Sequence, residues 1–410
     1  MDRAKGSTSG SAVGDVPVDP LVEILSRVPA KSVCRFKCVS KAWLDLITDP
    51  HHRKKLAQAM QGLFCHKSKK SEDDQSYSFS FIDLAARSVP LDIDPSFSFL
   101  TELPGIRFLY LRDSCNGLVL FEHHEGSEDS TRLGYIVCNP TTKEWKVVPA
   151  CGSPTSLTFP YLAFDPAVSS HFNLVQFQVE EDEKILSVYG YSSETGAWCE
   201  NQIDEQGEEG QLEGWRRFNF LLGNPPRCPF VNGFLHLIVL DKDQMKIVAL
   251  DVQGKARRMI PVPDVADSRR WMCYFGESQG QLHYMTQESL DAHKRKYKLS
   301  IWVLQDYCAQ EWVLKGTMNT NEVFGENSDT GVTEGFEVVE CVEVVDIHQH
   351  CNVVFFTHFW VDQNRSVDFF THFLKRKLVA YDLDSKEVST ISTFDDRECL
   401  LHTARYVPYF

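Results

Sequence analysis

The sequence has no apolar run long enough to cross a membrane. Its nearest candidate, CNVVFFTHFWV at residues 351–361, is about half the ~20 residues that a spanning helix needs. The first 15 residues, MDRAKGSTSGSAVGD, contain no apolar stretch like that of a secretory signal peptide. We therefore expect a cytoplasmic or nuclear chain that makes no membrane contact, in which the glycosylation sequon at Asn364 has no meaning.

Positive charge is scarce. The chain has 42 Lys and Arg against 57 Asp and Glu, a formal net charge of -15, which argues against a nucleic-acid surface spread over the whole molecule because phosphate attraction needs positive charge. The 13 cysteines are odd in number and lack the close spacing of a disulfide framework. They are predicted to be free thiols in a reducing compartment.

Familiar catalytic motifs are also absent: the sequence has no Gly-x-Ser-x-Gly elbow, no Walker loop and no His-Glu-x-x-His signature. Cys34 and Cys38 are four residues apart, but no second ligand pair lies near them in sequence. The histidine groups, such as His348 with His350 and Cys351, are more typical of solvated or core residues. We predict no catalytic residue, no metal and no cofactor.

Four regions follow from composition and hydrophobic period. Residues 1–15 are predicted to be a disordered tail, 16–62 a helical module, 63–76 a charged linker and 77–410 a large all-β domain. Acidic runs at 180–184 and 204–214 are typical of exposed loops. The alternative left open is that such loops steer a basic target segment to one face.

Residues 16–50 contain 18 apolar residues out of 35. Asp19 and Pro20 favour a helix start, Pro29 a stop, and Ser40 the cap of a third helix that ends before Pro50. The inward side chains are predicted to be Leu21, Ile24, Leu25 and Val28, then Val33 and Phe36 with Cys34 possible, then Trp43, Leu44 and Ile47.

Outside these stripes Val22, Cys38, Val39 and Leu46 remain. Three short helices are too small to bury so many apolar side chains alone, so the surplus points to a partner protein. The alternative is packing against the domain that follows. A DNA-binding helix-turn-helix is disfavoured, because KAWLDLI in the third helix offers mostly apolar side chains to a groove.

The string from Pro17 to Pro50 closely resembles the F-box motif in its plant form, with Val16 where that family usually has Leu. The resemblance implies that the module binds the Skp-type adaptor of a Skp–cullin–F-box ubiquitin ligase, with no chemistry of its own. Carried over residue by residue, the implied adaptor-binding residues are Pro17, Leu21, Val22, Ile24, Leu25, Val28, Pro29, Val33, Phe36, Lys37, Cys38, Val39, Trp43, Leu44 and Ile47.

The charge of the module agrees with the acidic adaptor that the resemblance implies. Residues 16–60 contain eight basic and four acidic residues, so they carry +4 while the remainder carries -19. Such complementarity mainly aids encounter and specificity. The downstream domain would then select the protein to be ubiquitinated, and the sequence does not identify that target.

A second resemblance covers most of residues 100–410. SCNGLVLFE (114–122), YIVCNPTTKEW (135–145), FVNGFLHLI (230–238) and KLVAYDLDSKEVSTI (378–391) look like the units of the plant F-box-associated, kelch-like domain. In each unit a Gly permits a tight turn between antiparallel strands. Such sheets stack or close into a ring, so we predict an irregular β-propeller of six or seven blades. A β-sandwich is the alternative.

Overall fold

A computed structural model describes residues 17–26, 28, 30–49, 52, 60–70, 75–84, 93–126, 131–152, 157–180, 185–202, 217–218, 227–241, 244–263, 270–291, 296–320, 323, 338–348, 351–362, 373–394 and 398–409. The predicted tail at 1–15 lies outside these residues. Within them, no helix is both long enough and apolar enough to cross a membrane.

Residues 17–49, the helical module, contain three short helices: α1 (Val18–Ser26), α2 (Ala30–Phe36) and α3 (Lys41–Thr48). Ser40 caps α3, since its hydroxyl oxygen accepts a hydrogen bond from the backbone N–H of Trp43 at 3.3 Å. The predicted cap and the predicted end of the third helix are therefore confirmed. The second helix ends at Phe36, because residues 37–39 form a turn.

The rest of the described chain forms a six-bladed β-propeller, which also contains the short helix α4 (Ser98–Thr101). The first blade contains β24 (Glu398–Tyr406), β1 (Gly62–Lys70) and β2 (Gln75–Asp83). The second contains β3 (Phe108–Cys115), β4 (Leu118–His124), β5 (Arg132–Cys138) and β6 (Trp145–Pro149). The third contains β7 (Leu157–Ala163), β8 (Asn173–Val179), β9 (Ile185–Ser192) and β10 (Ala197–Gln202).

The remaining blades follow the same antiparallel order. The fourth contains β11 (Arg217–Phe218), β12 (Phe230–Val231), β13 (Phe234–Asp241), β14 (Gln244–Leu250) and β15 (Ala256–Pro261). The fifth contains β16 (Arg270–Ser278), β17 (Gln281–Asp291), β18 (Lys296–Asp306) and β19 (Glu311–Asn319). The sixth contains β20 (Val338–Ile347), β21 (Val353–Asp362), β22 (Phe373–Asp382) and β23 (Val388–Phe394).

Each pair of neighbouring blades shares one apolar cluster, which shows that the ring is closed. The clusters join the first blade to the second, the second to the third and so on, and the last joins the sixth blade back to the first through Phe355 and Leu63. A sandwich would bury its core between two sheets only. The alternative of a β-sandwich is therefore wrong.

The predicted linker at 63–76 is wrong, because most of it belongs to the first blade. Strand β1 begins at Gly62 and lies between β2 and β24, so it pairs on one side with the last strand of the chain. Leu63, Phe64 and Cys65 are buried, whereas the lysines that suggested a linker occupy the far end of the strand. Its pairing partner is more than 300 residues away, and local sequence carries no sign of it.

The innermost strands β24, β3, β7, β16 and β20 begin on one face of the propeller, which we call the hairpin face, because the β4–β5 and β17–β18 hairpins close there. They end on the opposite face, where tight turns lead from β3 to β4 and from β16 to β17. The corresponding turn of the fourth blade leads from β12 to β13. Asn116 and Gly117 have φ of 45° and 94° in one such turn, and Asn232 and Gly233 have 53° and 82° in another. These are the Asn-Gly turns that the sequence predicts.

After the helical module, the chain enters the propeller on the face opposite the hairpin face. Gly62, the first residue of β1, pairs there with Tyr406 near the end of β24. The backbone N–H of Gln61 donates to the carbonyl oxygen of Tyr406 at 2.9 Å, and Met60 is buried in the cluster between the first and sixth blades. The helical module therefore joins the ring beside the point at which the ring closes.

Candidate functional surfaces

The helical module has its own small core. Val22, Leu25, Val33, Leu46 and Ile47 are buried together, and the partly buried residues packed on them are Leu21, Val28, Phe36 and Trp43. The ring centroids of Phe36 and Trp43 are 5.2 Å apart. Among the residues that the structure describes, every member of this cluster belongs to the module and none to the propeller.

Two residues predicted to be surplus are part of this core. Val22 is 0% exposed and Leu46 is 9% exposed, so neither remains for a partner in the free module. Conversely Ile24 and Leu44, predicted to face inward, are 56% and 41% exposed. In α1 and α3 the inward face therefore differs from the predicted one by a partial rotation about the helix axis. In α1 the inward stripe is completed by Val22, which lies three residues before Leu25 on the same face.

The predicted adaptor-binding residues therefore divide by burial. Val22, Leu25, Val33 and Ile47 are buried; Leu21, Val28, Phe36, Lys37 and Trp43 are partly buried; Pro17, Ile24, Cys38, Val39 and Leu44 are exposed; and Pro29 lies outside the described residues. The side chain of Cys34 is also outside them. The structure brings the buried group together and leaves the exposed group at the surface.

Four large apolar side chains are exposed on this module of about thirty described residues. Val18 and Ile24 lie on α1, Val39 in the turn after α2, and Leu44 on α3. Val39 is 62% exposed, the largest fraction of the four. We call these residues the apolar patch. Val18 was not among the predicted binding residues, and its place before the predicted cap at Asp19 gave no reason to include it.

The charges on the described part of the module are mixed. Arg35 and Lys41 are exposed, as are Asp19, Glu23 and Asp45. Most of the basic residues that give the sequence its local +4 have side chains outside the described residues, namely Arg27, Lys31, Arg53, Lys54 and Lys55. The attraction of an acidic adaptor therefore stays a prediction.

A second concentration of charge lies on the propeller axis, where the innermost strands end. Arg405 of β24 donates from Nε to Asp346 Oδ2 at 2.8 Å and from Nη2 to Asp346 Oδ1 at 2.5 Å. Its Nη1 donates to Glu277 Oε2 at 2.8 Å. The backbone N–H of Arg405 donates to the Ser114 hydroxyl at 2.8 Å. One side chain and its backbone thus connect the first blade with the second, fifth and sixth.

Two further residues complete this axial network, which we define as Arg405, Asp346, Glu277, Tyr274 and Arg227. The Tyr274 hydroxyl donates to Asp346 Oδ1 at 2.7 Å, and Arg227 Nη1 lies 3.7 Å from Asp346 Oδ2. Burial alone would raise the pKa of Asp346, but the Arg405 guanidinium overcomes it and lowers the pKa to about 2. Asp346 is thus held charged by its partners, which suits a structural ion cluster rather than an acid–base catalyst.

No group of three or more His, Cys, Asp or Glu residues in the described part of the chain is arranged to hold a metal ion. The described cysteines are free thiols. Loss of hydration raises the pKa of buried Cys65 and of half-buried Cys273 to about 12, which keeps both thiols protonated and unreactive.

Two family descriptions match the chain. One, "F-box domain", matches residues 14–55, and the other, "F-box protein At3g26010-like, beta-propeller", matches residues 93–330, more than half of the chain. The chain belongs to this family of F-box β-propeller proteins. The helical module is accordingly an F-box module. The kelch-like character predicted for the downstream domain stays a prediction.

The chain is similar to several plant proteins. It is 26% identical to F-box protein At5g07610 of Arabidopsis thaliana over 68% of this chain and 65% of that one. It is 32% identical to Putative F-box protein At3g10240 of the same plant over 41% of this chain and 42% of that one. The chain thus spans less than two thirds of the length of these relatives. Against Putative F-box protein At1g30920, also of Arabidopsis thaliana, it is 24% identical over 79% and 80%.

Solved structures resemble the chain only distantly. Apo prolyl oligopeptidase B from Galerina marginata matches with a TM-score of 0.39 and 9% identity over 85% of this chain and 43% of that one. A putative TolB from Agrobacterium tumefaciens matches with 0.35 and 10% identity over 86% and 99%. Matches at this level do not bear on function.

Proposed function

We propose that the chain is the substrate-recognition subunit of a Skp–cullin–F-box ubiquitin ligase. The F-box module binds a Skp-type adaptor, and through it a cullin, while the propeller binds the protein to be ubiquitinated. The chain itself supplies no catalytic group in this proposal. Holding the target near the ubiquitin carrier raises the effective concentration of the reacting groups. We further propose that it acts in the cytoplasm or nucleus, where free thiols stay reduced.

The observation that supports adaptor binding is the apolar patch. The module already encloses a core, with Leu25 1% exposed, and still leaves Val39 62% and Ile24 56% exposed. Burying a Val or Ile side chain against a partner is worth about 1.5–3 kcal/mol. Four such side chains on so small a unit offer apolar surface of the kind that a partner interface covers. The match of residues 14–55 to the F-box domain supports a Skp-type adaptor as that partner.

The test uses a charge inside the patch. Val39→Glu should weaken capture of a Skp-type adaptor by the purified full chain at least about thirtyfold, because a carboxylate would lose its water in an apolar interface. The matched control is Val168→Glu on the propeller, where Val168 is 80% exposed in the loop after β7. Both variants should unfold at the wild-type temperature. Equal capture by the two would contradict the proposal.

The propeller's part is tested in cells. Proximity labelling with the full chain and with its Val39→Glu variant should give two groups of neighbours. The adaptor and cullin should be lost with the variant, whereas proteins bound by the propeller should be labelled by both chains. A variant that loses every neighbour, although it is folded, would show that the propeller recognises nothing without the adaptor.

A further inference from the structure

The propeller ring is closed at a single seam, the pairing of β1 with β24, which joins the two ends of the domain. Two histidines stand directly opposite each other in this seam: His66 of β1 pairs with His402 of β24. The register shifts immediately after this pair, between His66 and Lys67, so a β-bulge lies beside the two histidines. The regular ladder is interrupted there.

His66 lies in an aromatic pocket that gives its ring no hydrogen bond. The residue is 0% exposed, and neither ring nitrogen has a hydrogen-bond partner. The ring stacks on Phe79 with 4.8 Å between centroids and meets the edge of Tyr110 at 4.8 Å. The ring of His402 lies 5.3 Å from the same Tyr110. Both imidazoles therefore contact one tyrosine ring.

The charges facing this pair oppose protonation. The Arg112 guanidinium of the second blade lies 4.2 Å from the centre of the Tyr110 ring, and its Nε donates to the buried Glu122 at 2.5 Å. Arg227 of the fourth blade also acts on His402. Within the seam, Lys67 pairs with Glu398 at 3.2 Å.

Burial and Arg112 lower the pKa of His66 to about 3. The same two causes, with His66 itself and Arg227, lower the pKa of His402 to about 3. An imidazole exposed by separation of the strands regains water and returns to about 6.5. Each histidine thus binds a proton only when the seam is open.

We propose that His66 and His402 form an acid-sensitive latch on the closure of the propeller ring, so that acidification separates β24 from β1 before the other blades unfold. Above pH 6.5, the pKa of the exposed imidazoles, neither the closed nor the open seam binds a proton, and the closed seam is fully favoured. As pH falls below 6.5 towards 3, protons bind the open seam alone and favour it. Between pH 7.5 and 5.5 each histidine raises the open population about tenfold, and the pair about a hundredfold.

Other titrating groups must be separated from this effect. Asp113 of β3 has a pKa raised to about 6, chiefly by burial, so acidification stabilises its buried form. It accepts hydrogen bonds from the backbone N–H groups of Ser114 and Leu162, in the second and third blades, and so acts on those blades rather than on the seam. His236 and His283, in the fourth and fifth blades, have a pKa lowered to about 4, chiefly by burial. Their exposure requires those blades to open, so they act on unfolding of the domain as a whole.

Hydrogen exchange of the full-length wild-type chain at pH 7.5 and 5.5, corrected for intrinsic rates, tests the proposal. Protection of the β1 and β24 amides should fall about a hundredfold, whereas amides of β8 in the third blade should keep their protection. Equal losses in β24 and β8 would mean that acid unfolds the domain as one unit, and the latch would be overturned. This comparison needs no variant.

Substitution then assigns the effect to residues. His66→Phe keeps an aromatic ring in the pocket and should reduce the pH-dependent loss at the seam to about tenfold, as should His402→Phe. The control is His171→Phe, since His171 is exposed in the loop before β8. In this variant the protection of the β1 and β24 amides should still fall about a hundredfold. Unchanged pH dependence in the folded His66→Phe and His402→Phe variants would overturn the assignment.

Discussion

The F-box module and the propeller differ in which side chains they bury. The module encloses a few aliphatic residues, such as Leu25, and leaves others, such as Val39, in water. The propeller covers its apolar residues between blades and in addition encloses charges at its axis, where Arg405 binds Asp346. The module thus leaves apolar side chains exposed, whereas the propeller pairs the buried ions of its axial network internally.

The two regions also differ in the distance along the chain between contacting residues. Within the module every core contact joins residues of one segment of about thirty residues. In the axial network Arg405 reaches Asp346 across 59 positions, Glu277 across 128 and Ser114 across 291. The module can therefore form from local contacts alone, whereas the ring requires its last strand. The substitutions below each affect one region and leave the other as a reference.

The largest expected effect is that of Arg405→Met. It leaves Asp346 and Glu277 without their main partner, and removing one member of a buried ion pair costs about 3–5 kcal/mol. We expect the propeller to unfold at a much lower denaturant concentration, read from the fluorescence of its tryptophans. Adaptor capture by the F-box module should persist, because the module's core contains no propeller residue.

The control for this substitution is Arg257→Met. Arg257 pairs with Asp251 at 2.6 Å, but its side chain is 53% exposed, and surface pairs contribute at most about 1 kcal/mol. A loss of stability in Arg257→Met as large as that in Arg405→Met would show that burial of the axial network is not what makes it matter. Loss of adaptor capture together with the propeller would show that the two regions fold as one.

Leu25→Ala should have the next largest effect, on the other region. Leu25 is 1% exposed in the module core, and truncating a buried Leu costs about 2–5 kcal/mol. A three-helix unit has little stability to lose, so adaptor capture should fall sharply while the propeller's unfolding transition stays unchanged. The control is Ile24→Ala, because Ile24 is adjacent to Leu25 in sequence but is 56% exposed. It should leave the module folded and weaken capture only through lost contact.

The sequence predicted the module and the propeller class because those signals are local. Ser40 as a cap and the Asn-Gly turns at 116–117 and 232–233 are confirmed. The inward face of each helix was harder to predict from the sequence, because a small rotation of α1 is enough to bury Val22 and to expose Ile24. Strand β1 was missed since its partner β24 lies at the other end of the chain. The axial network could not be foreseen, because nothing near Arg405 in sequence indicates Asp346 or Glu277.

The smallest expected effect sharpens the comparison inside the module. Ser40→Ala removes the hydroxyl that accepts from the Trp43 N–H at 3.3 Å, which costs about 1 kcal/mol at a helix N-cap, whereas Ser40→Gly costs only a few tenths. In a marginally stable unit, a loss of about 1 kcal/mol lowers the folded fraction. Ser40→Ala should therefore bind the adaptor more weakly than Ser40→Gly, which titration calorimetry would measure. Identical affinities would mean that the module's core stabilises α3 without its cap, and that the F-box module is more self-sufficient than its size suggests.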